Sequence, residues 1–288
     1  MRTTSLLAVA LLLVVDVSLA QPKANPDLTT MLMRSTFRIG GPAKQPGKTS
    51  TGTVFIMTHP IKGTNWNVMV TANHVLEEIQ GDSATLCLAQ KQPDGSFTKV
   101  NHPIQIREHG TNLWTRHPNA DVATMVVSLP KSFLDTLDAV AGTDLLAGDE
   151  AMQTQDLCPG EELYCLGFPL GLESNPAGFP ILRSGRISSF PVYPSKRAPQ
   201  ILLDARVFGG NSGGPVFFDL EGRRKFGTGS SSLDWRGIAG VLSQDISHVQ
   251  QIDDYFESST RRDPLGIAVV VPAQFIKETI ELMMREKK

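Results

Sequence analysis

The chain has 288 residues, of which 41% are hydrophobic and 19% charged, with a formal net charge of −2 at pH 7. These proportions are ordinary for a globular protein that buries a core. Because the sequence contains neither a basic run nor a stripe of lysine and arginine, nucleic acid is disfavoured as a partner. The length suggests two domains of about 150 residues or one large domain.

Residues 1–20 have the pattern of a secretory signal peptide. Arg2 supplies the positive charge, and the apolar run 6–15 is too short to span a bilayer. Ser18 and Ala20 are small residues suited to cleavage after Ala20; a buried N-terminal helix is the alternative interpretation. Since no later apolar run reaches about 18 residues, we expect a secreted or periplasmic protein that leaves the membrane once the signal is removed.

Short apolar runs separated by turn residues dominate the rest of the chain. Residues 21–50 are rich in Pro, Lys, Thr and Gly and predict a loose lead-in. From residue 51 onward the runs predict many short strands, a pattern typical of a β-barrel or sandwich. The predicted strands are Val54–Met57, Val68–Thr71, Ala84–Ala89, Phe97–Val100, Val122–Val127, Ile201–Leu203, Val216–Phe218, Ile238–Leu242 and Ile267–Val271.

Two segments predict helices. Asn73–Ile79 predicts a short one, and Pro272 followed by Ile276, Ile280 and Met283 predicts a closing amphipathic helix. Pro130, Gly142 and Gly148 loosen the pattern near residues 130–155, which predicts a boundary between units at 51–140 and 141–288.

Three cysteines, Cys87, Cys158 and Cys165, allow at most one intramolecular disulfide. Cys158 and Cys165 flank the turn signal Pro159-Gly160. The sequence leaves open whether these two form a disulfide or whether all three are small buried side chains. With so few bridges, stability has to come from the core.

The stretch Gly210-Asn211-Ser212-Gly213-Gly214-Pro215 places a serine among glycines. Glycines permit positive φ and lack the Cβ that would block the approach of a substrate carbonyl. Backbone N–H groups beside the serine can then stabilise a developing oxyanion. This arrangement predicts a nucleophilic serine, which requires a base and a carboxylate elsewhere in the chain.

His74 and Asp121 are the candidates for that base and carboxylate. His74 follows a predicted strand, which is a rigid support for a general base. Asp121 opens an apolar strand, where a carboxylate is costly unless hydrogen-bonded. Three other histidines adjoin prolines, which predicts loops: His59, His102 and His117. The remaining two, His109 and His248, lie in polar surroundings.

The three residues occur in the order His74, Asp121, Ser212, with gaps of 47 and 91 residues. The gaps in the chymotrypsin order are about 45 and 93 residues. The chain resembles the trypsin-like (chymotrypsin-fold) serine peptidases. Within them it is most similar to the Deg/HtrA-type branch, here without that branch's PDZ domain. The likeness spans residues 50–285 and rests on these segments: Gly52-Thr53-Val54-Phe55-Ile56, Val70-Thr71-Ala72-Asn73-His74-Val75, Asn119-Ala120-Asp121-Val122-Ala123, Gly167-Phe168-Pro169-Leu170-Gly171, Ser184-Gly185-Arg186-Ile187-Ser188 and Gly210–Pro215.

The resemblance implies an all-β fold of two six-stranded β-barrels with a C-terminal helix and a catalytic cleft between the barrels. It also implies that Ser212 attacks the scissile carbonyl, that His74 takes and returns the proton, and that Asp121 orients the imidazole. The N–H groups of Gly210 and Ser212 would form the oxyanion hole. Protein or peptide substrates are implied, with no metal or organic cofactor; the oligomeric state is not predicted.

Other interpretations of the serine motif are weaker. Its G-x-S-x-G pattern also fits the α/β-hydrolase elbow, but that elbow leads into a helix, whereas Gly213-Gly214-Pro215 are poor helix formers. A glycine-rich structural turn is the plainest alternative for the motif alone. At the level of function, the alternative is a catalytically silent secreted binding protein on the same fold.

Two further features bear on activation and specificity. Arg38-Ile39-Gly40-Gly41 resembles a zymogen activation site, but Asn211 replaces the aspartate that would pair with a freed N-terminus, so we expect activity to need only signal removal. By resemblance, Arg206 lies at the primary pocket, with Ser243, Gln244 and Asp245 as its second wall. An exposed Arg206 would favour an acidic P1 side chain. Neutralisation by Asp245 or an outward-turned Arg206 are the alternatives.

Overall fold

The computed structural model describes residues 27–137, 139–223, 233–254 and 257–286. The predicted signal peptide and residues 224–232 lie outside these ranges. Within them, no helix has the length and apolar character needed to cross a membrane.

The N-terminal half consists of a β-sheet with short helices at its ends. In chain order its elements are α1 (Leu28–Ser35), β1 (Thr36–Pro42), β2 (Thr49–Ile61), β3 (Thr64–Thr71), α2 (Asn73–Glu78), β4 (Ser83–Lys91), β5 (Phe97–Gln105), β6 (Arg107–Glu108), β7 (Thr111–Asn112), β8 (Thr115–Arg116), β9 (Ala123–Val126) and α3 (Lys131–Leu134). Seven strands form one antiparallel sheet in the order β5-β4-β1-β2-β3-β9-β8, and β6 pairs with β7.

The C-terminal half forms a closed β-barrel. Its elements are a 3₁₀ turn at Thr143–Leu145, α4 (Asp149–Gln155), β10 (Glu162–Gly167), a turn at Pro169–Gly171, β11 (Ile181–Ile187), β12 (Ile201–Asp204), β13 (Pro215–Arg223), β14 (Leu233–Asp254), β15 (Glu257–Pro272) and α5 (Ala273–Glu286). The barrel order is β10-β11-β12-β15-β14-β13.

A shared apolar core joins the two halves. Strand β2 is buried on both faces: Val54 and Ile56 pack into the core of the N-terminal sheet, whereas Phe55 and Met57 pack into the shared core. This alternation follows from the two-residue period of a strand. The shared core also contains α1, α5 and strands of both halves, through Leu28, Leu32, Leu166, Phe217, Ile276 and Ile280. Burial of each such side chain contributes about 1.5–3 kcal/mol, which fixes the two halves relative to each other.

The predicted all-β fold with a closing helix is confirmed, and α5 begins directly after Pro272. The C-terminal half is the expected closed six-stranded barrel, whereas the N-terminal half is a sheet of seven strands. The expectation of an irregular lead-in over residues 21–50 is wrong for 28–42, where α1 and β1 form. Asp27 caps α1 by accepting from the Thr30 N–H at 2.7 Å, and Ile39 is fully buried in β1 between β2 and β4.

Three smaller expectations are also corrected or decided. His59 lies in β2 and His102 in β5, because their neighbouring prolines are accommodated within these strands instead of forming loops. The cysteines, all within the described ranges, form no disulfide: Cys87 and Cys165 are buried, whereas Cys158 is exposed. Burial raises the pKa of the Cys165 thiol to about 12, which makes it an inert core residue.

Candidate active site

His74 and Asp121 are in direct contact. The His74 Nδ1 atom lies 2.7 Å from Asp121 Oδ2, and the His74 backbone N–H donates to Asp121 Oδ1 at 3.0 Å. Because an ionised carboxylate only accepts hydrogen bonds, Nδ1 carries the proton and Nε2 is left to accept one. Both side chains are half-buried. The two-point contact therefore fixes the tautomer of the imidazole and the position of its backbone.

The local folding of α2 explains the position of His74. Strand β3 ends buried at Thr71, and α2 begins immediately afterwards at Asn73. The helix packs on Gly52 of β2, where an added Cβ would come within 2.4 Å of Val75 Cγ1. Glycine at position 52 thus lets α2 approach the sheet closely enough for His74 to reach the turn that carries Asp121.

The loop that carries Ser212 is held by both halves of the molecule. The Ser212 carbonyl accepts from the Thr53 N–H at 2.8 Å, and the Gly213 N–H donates to Leu242 O at 2.7 Å. The buried Thr53 hydroxyl donates to Gly210 O at 2.7 Å. Ser212 is therefore fixed between β2 and β14, two strands that the shared core holds together.

Two glycines of this loop adopt backbone conformations that other residues resist. Gly210 has φ +95° and Gly213 has φ +91°. A Cβ on Gly210 would lie 2.3 Å from Phe168 O, and one on Gly213 would lie 2.0 Å from Thr53 O. The glycine pattern seen in the sequence therefore reflects both positive φ and close backbone approach.

His74 and Ser212 line one cleft of about 470 Å³. Among the described residues, neither the Gly210 N–H nor the Ser212 N–H donates to a protein acceptor. The lining residues also include Thr49, Ser50, Thr51, Val75, Glu78, Leu170, Gly171 and Gly209. The cleft thus combines a hydroxyl, an imidazole and two available backbone donors, the groups that acyl transfer requires.

The pair of His74 and Asp121 perturbs both pKa values. Burial opposes the charged form of each side chain. For His74, the hydrogen bond to Asp121 and the nearby charges of Asp121, Glu78 and Glu77 outweigh burial and raise the pKa above 6.5. For Asp121, hydrogen bonds from His74 and Ser243 and the charge of His74 outweigh burial and lower the pKa below 3.8. Asp121 is therefore ionised near neutral pH, as an orienting carboxylate has to be.

The residues predicted for specificity lie in different surroundings. Ser243 is buried, and its hydroxyl donates to Asp121 Oδ2 at 2.5 Å instead of facing a pocket. Gln244 is exposed, and the Asp245 carboxylate accepts from the Ser247 hydroxyl at 2.7 Å. In the sequence, Ser243 directly follows the apolar run Ala239–Leu242. This position was the signal that its hydroxyl is buried and hydrogen-bonded.

Arg206 is exposed on the connection between β12 and β13. Its guanidinium carbon lies 5.8 Å from the centre of the Phe208 ring, and Arg183 lies over the same ring at 5.4 Å. Among the described residues, no carboxylate lies within ion-pair distance of Arg206. Neutralisation by Asp245, one of the alternatives left open by the sequence, is therefore not seen.

His117 is a contributor to the site that the sequence reasoning missed. It is buried, its Nδ1 accepts from the Asn119 N–H at 3.1 Å, and its Nε2 lies 3.1 Å from Glu278 Oε2 on α5. Its backbone N–H donates to Val122 O at 3.0 Å. These contacts shape the turn that presents Asp121. The adjoining Pro118 led to a loop interpretation, and the sequence carries no signal for the partner on α5.

No group of three or more His, Cys, Asp or Glu side chains suited to a metal ion occurs in the part of the chain that the structure describes. The closed six-stranded barrel, the second β-sheet and the C-terminal helix together have chymotrypsin-like architecture, the fold of a class of serine peptidases. A family comparison agrees. The model described as "Trypsin-like peptidase domain" matches residues 41–224, which is more than half of the chain. The chain belongs to this family.

No curated protein matches the chain. Among solved structures it is similar to the serine endoprotease from Yersinia pestis, with 12% identity, TM-score 0.46 and coverage of 90% of this chain and 66% of that one, slightly under two thirds. It is also similar to protease Anisep from Arthrobacter nicotinovorans, with 14% identity, TM-score 0.49 and coverage of 88% and 96%. A third similar structure is the Rv3671c protease from M. tuberculosis, with 19% identity, TM-score 0.44 and coverage of 96% of this chain and 93% of that one.

Proposed function

We propose that the chain hydrolyses peptide bonds of protein or peptide substrates through a Ser212–His74–Asp121 triad and an acyl-enzyme intermediate. The observation that carries the proposal is the 2.7 Å contact between His74 Nδ1 and Asp121 Oδ2 in a molecule whose His74 and Ser212 line one cleft. Catalytic hydrogen bonds often tighten only when substrate is bound. We therefore expect the bond between Ser212 Oγ and His74 Nε2 to form when substrate binds.

The steps follow from the chemistry of these groups. Ser212 Oγ attacks the scissile carbonyl while His74 Nε2 takes the hydroxyl proton, and the carbonyl oxygen becomes an oxyanion that accepts from the N–H groups of Gly210 and Ser212. His74 then gives its proton to the leaving amine, which leaves an acyl ester on Ser212. A water molecule, deprotonated by His74, then attacks the acyl ester; the ester bond breaks, His74 returns the proton to Ser212 Oγ, and the carboxylic acid is released. Asp121 stays ionised throughout and stabilises the imidazolium.

The test of this function is proteolysis of an unfolded protein substrate, with products identified by mass spectrometry. We expect cleavage by the wild-type protein and none by Ser212→Ala, with Ser96→Ala as the matched control because its hydroxyl contacts Asp94 in the exposed turn between β4 and β5. A folded wild-type protein that cleaves nothing would favour the alternative of a silent binding protein.

Secretion and processing form a second part of the proposal. Residues 1–20 would be removed after Ala20, and no further cleavage would be needed for activity. The arrangement of Arg38-Ile39 supports this, because Ile39 is fully buried in the middle of a sheet and Asn211 is uncharged. N-terminal sequencing of active secreted enzyme is expected to begin at Gln21; a start at Ile39 would overturn this part.

We also propose a preference for an acidic P1 side chain, which is supported by the exposed Arg206, a residue with no carboxylate at ion-pair distance in the described part of the chain. A guanidinium matches a carboxylate in a bidentate pair, and Arg183 adds a second cation beside the same Phe208 ring. Gln244 and Asp245 would line the opposite wall, while Ser243 acts on Asp121.

A further inference from the structure

The segment between β10 and β11 touches both the cleft and the N-terminal sheet. Leu170 and Gly171 line the cleft, whereas Glu173 lies against β1 and β5. The Glu173 side chain is 13% exposed and forms ion pairs with Arg38 Nη2 at 3.1 Å and Lys99 Nζ at 2.7 Å. One carboxylate of the C-terminal half is thus held by two cations of the N-terminal half.

Neighbouring contacts strengthen this attachment. The Cys87 thiol lies 3.8 Å from Glu173 Oε1, and the Phe179 ring packs edge-on against Phe97 with centroids 5.0 Å apart. The segment is therefore fixed to the N-terminal sheet at two points, Glu173 and Phe179. Arg38 belongs to the motif Arg38-Ile39-Gly40-Gly41, which resembles a zymogen activation site. Its ion pair with Glu173 gives Arg38 a different role, that of holding this segment.

The cleft end of the same segment determines the orientation of one peptide group. The Leu170 N–H donates to Gly209 O at 2.7 Å. The Gly209 carbonyl and the Gly210 N–H belong to one planar trans peptide, so they point in opposite directions. Holding the carbonyl toward Leu170 therefore turns the Gly210 N–H away from Leu170 and keeps it unpaired. Reversal of this peptide would put a carbonyl oxygen where the oxyanion donor has to be.

Leu170 makes this contact in an unfavourable conformation. Its φ is +54°, in the left-handed region that non-glycine residues seldom adopt, and its side chain is 73% exposed. Side-chain packing therefore does little to hold it. A strained residue persists when its surroundings determine it. The buried Phe168 and Pro169 hold Leu170 on its N-terminal side, and the ion pairs of Glu173, three residues along the chain, hold it on the C-terminal side.

We infer that Glu173 is a positioning residue for the oxyanion hole: its ion pairs with Arg38 and Lys99 hold Leu170 in place, and Leu170 sets the Gly209–Gly210 peptide. The inference rests on the proposed function, because it assigns the Gly210 N–H to the oxyanion. It makes catalysis depend on an ionic contact between the two halves that lies outside the triad.

The test compares Glu173→Gln with the matched change Glu281→Gln, which removes an exposed ion pair with Arg285 on α5. We expect Glu173→Gln to lower kcat by roughly 10- to 100-fold at unchanged KM, short of the roughly 10²–10³ lost with an entire oxyanion donor. Affinity for a peptidyl trifluoromethyl ketone, whose adduct carries an oxyanion, should fall by the same factor, while affinity for the matched product peptide stays constant. Glu281→Gln should change none of these.

Hydrogen exchange of the Leu170 amide gives a readout independent of activity. We expect this amide to exchange faster in Glu173→Gln. Lys99→Gln is the second variant, for use if Glu173→Gln does not fold, because it alters a partly exposed side chain and keeps Arg38. We expect a smaller increase in exchange for Lys99→Gln. Unchanged Leu170 exchange together with unchanged ketone affinity in a folded variant would overturn the inference. A wild-type protein that neither cleaves nor binds the ketone would refute the proposed function, and the exchange result would then decide the Glu173 contact alone.

Discussion

The buried Ser243 hydroxyl donates to Oδ2 of Asp121 at 2.5 Å, the same oxygen that lies 2.7 Å from His74 Nδ1. Asp121 therefore has donors on three sides, because its Oδ1 accepts from the His74 backbone. This arrangement ties β14 of the barrel to the carboxylate that precedes β9 of the sheet. The orientation of the base depends on the contact between the two halves.

Replacing Ser243 by alanine tests that dependence. A hydrogen bond to a charged group contributes about 1.5–3 kcal/mol, and part of it is expected in the transition state, so kcat should fall by roughly 3- to 30-fold. The pKa of Asp121 should rise, since one of the donors that lower it is lost. Steady-state kinetics on a peptide substrate give the first quantity and NMR titration the second. Ser96→Ala, in the exposed turn between β4 and β5, is the control; equal kinetics for both variants would contradict the role of Ser243.

The charge of Glu78 predicts a shift in pH dependence. The base has to be neutral, and its pKa is raised above 6.5, so kcat/KM should increase as the pH rises through that raised value. Glu78 lines the cleft and contributes to the rise. Glu78→Gln should therefore move the acidic limb of the profile to lower pH, and Glu78→Lys should move it further. Glu150→Gln, an exposed charge change on α4, should leave the limb in place. A limb that stays fixed in Glu78→Lys would be inconsistent with this electrostatic account.

The pair of Asp121 and His74 also predicts how stability varies with pH. The lowered pKa of Asp121 contributes to the free energy of unfolding. This contribution is complete above pH 3.8 and is lost as the pH falls through the pKa of Asp121 in the folded state. The raised pKa of His74 gives a second contribution to the free energy of unfolding. It is complete below pH 6.5 and is lost as the pH rises through the pKa of His74 in the folded state. Both contributions are present between pH 3.8 and 6.5. Asp121→Asn should therefore destabilise more at pH 5.5 than at pH 8.5, as measured by urea unfolding, and a larger loss at pH 8.5 would reverse the sign that we derive.

Arg206 predicts the substrate profile. A peptide library digested by the wild-type protein should show cleavage after Asp or Glu, and Arg206→Ala should lower that preference by roughly tenfold, about the value of one charge-assisted pair. Lys196→Ala, an exposed cation on another loop, serves as the control. An unchanged P1 profile in Arg206→Ala would remove this residue from the site.

The sequence predicted those parts of the molecule that depend on local patterns. Apolar runs such as Val68–Thr71 and Ile238–Leu242 form strands, and the spacing of Ile276, Ile280 and Met283 does mark a buried helix face. Strand β1 was missed because Gly40, Gly41 and Pro42 are poor strand residues. It forms because pairing with strands on both sides outweighs this propensity, an effect that no local pattern contains.

The same distinction holds for the site. His74 and Asp121 could be singled out by their positions at the ends of predicted strands, and they do meet. The contacts of Ser243 with Asp121 and of Glu173 with Arg38 and Lys99 join residues distant in the chain. Such contacts are determined by how the two halves pack. The long pairing of β14 with β15, from Gly240↔Pro272 to Asp254↔Glu257, was likewise missed, because the outer residues lack an apolar alternation.

The most direct test of the triad is covalent labelling by a fluorophosphonate, with the modified residue mapped by mass spectrometry. We expect one adduct, on Ser212, that forms roughly 10⁴-fold more slowly in Asp121→Asn and is absent in Ser212→Ala, whereas Ser96→Ala is labelled at the wild-type rate. A folded wild-type protein that is not labelled at Ser212, or a Ser212→Ala variant labelled as fast as the wild type, would contradict the assignment of Ser212 as the nucleophile.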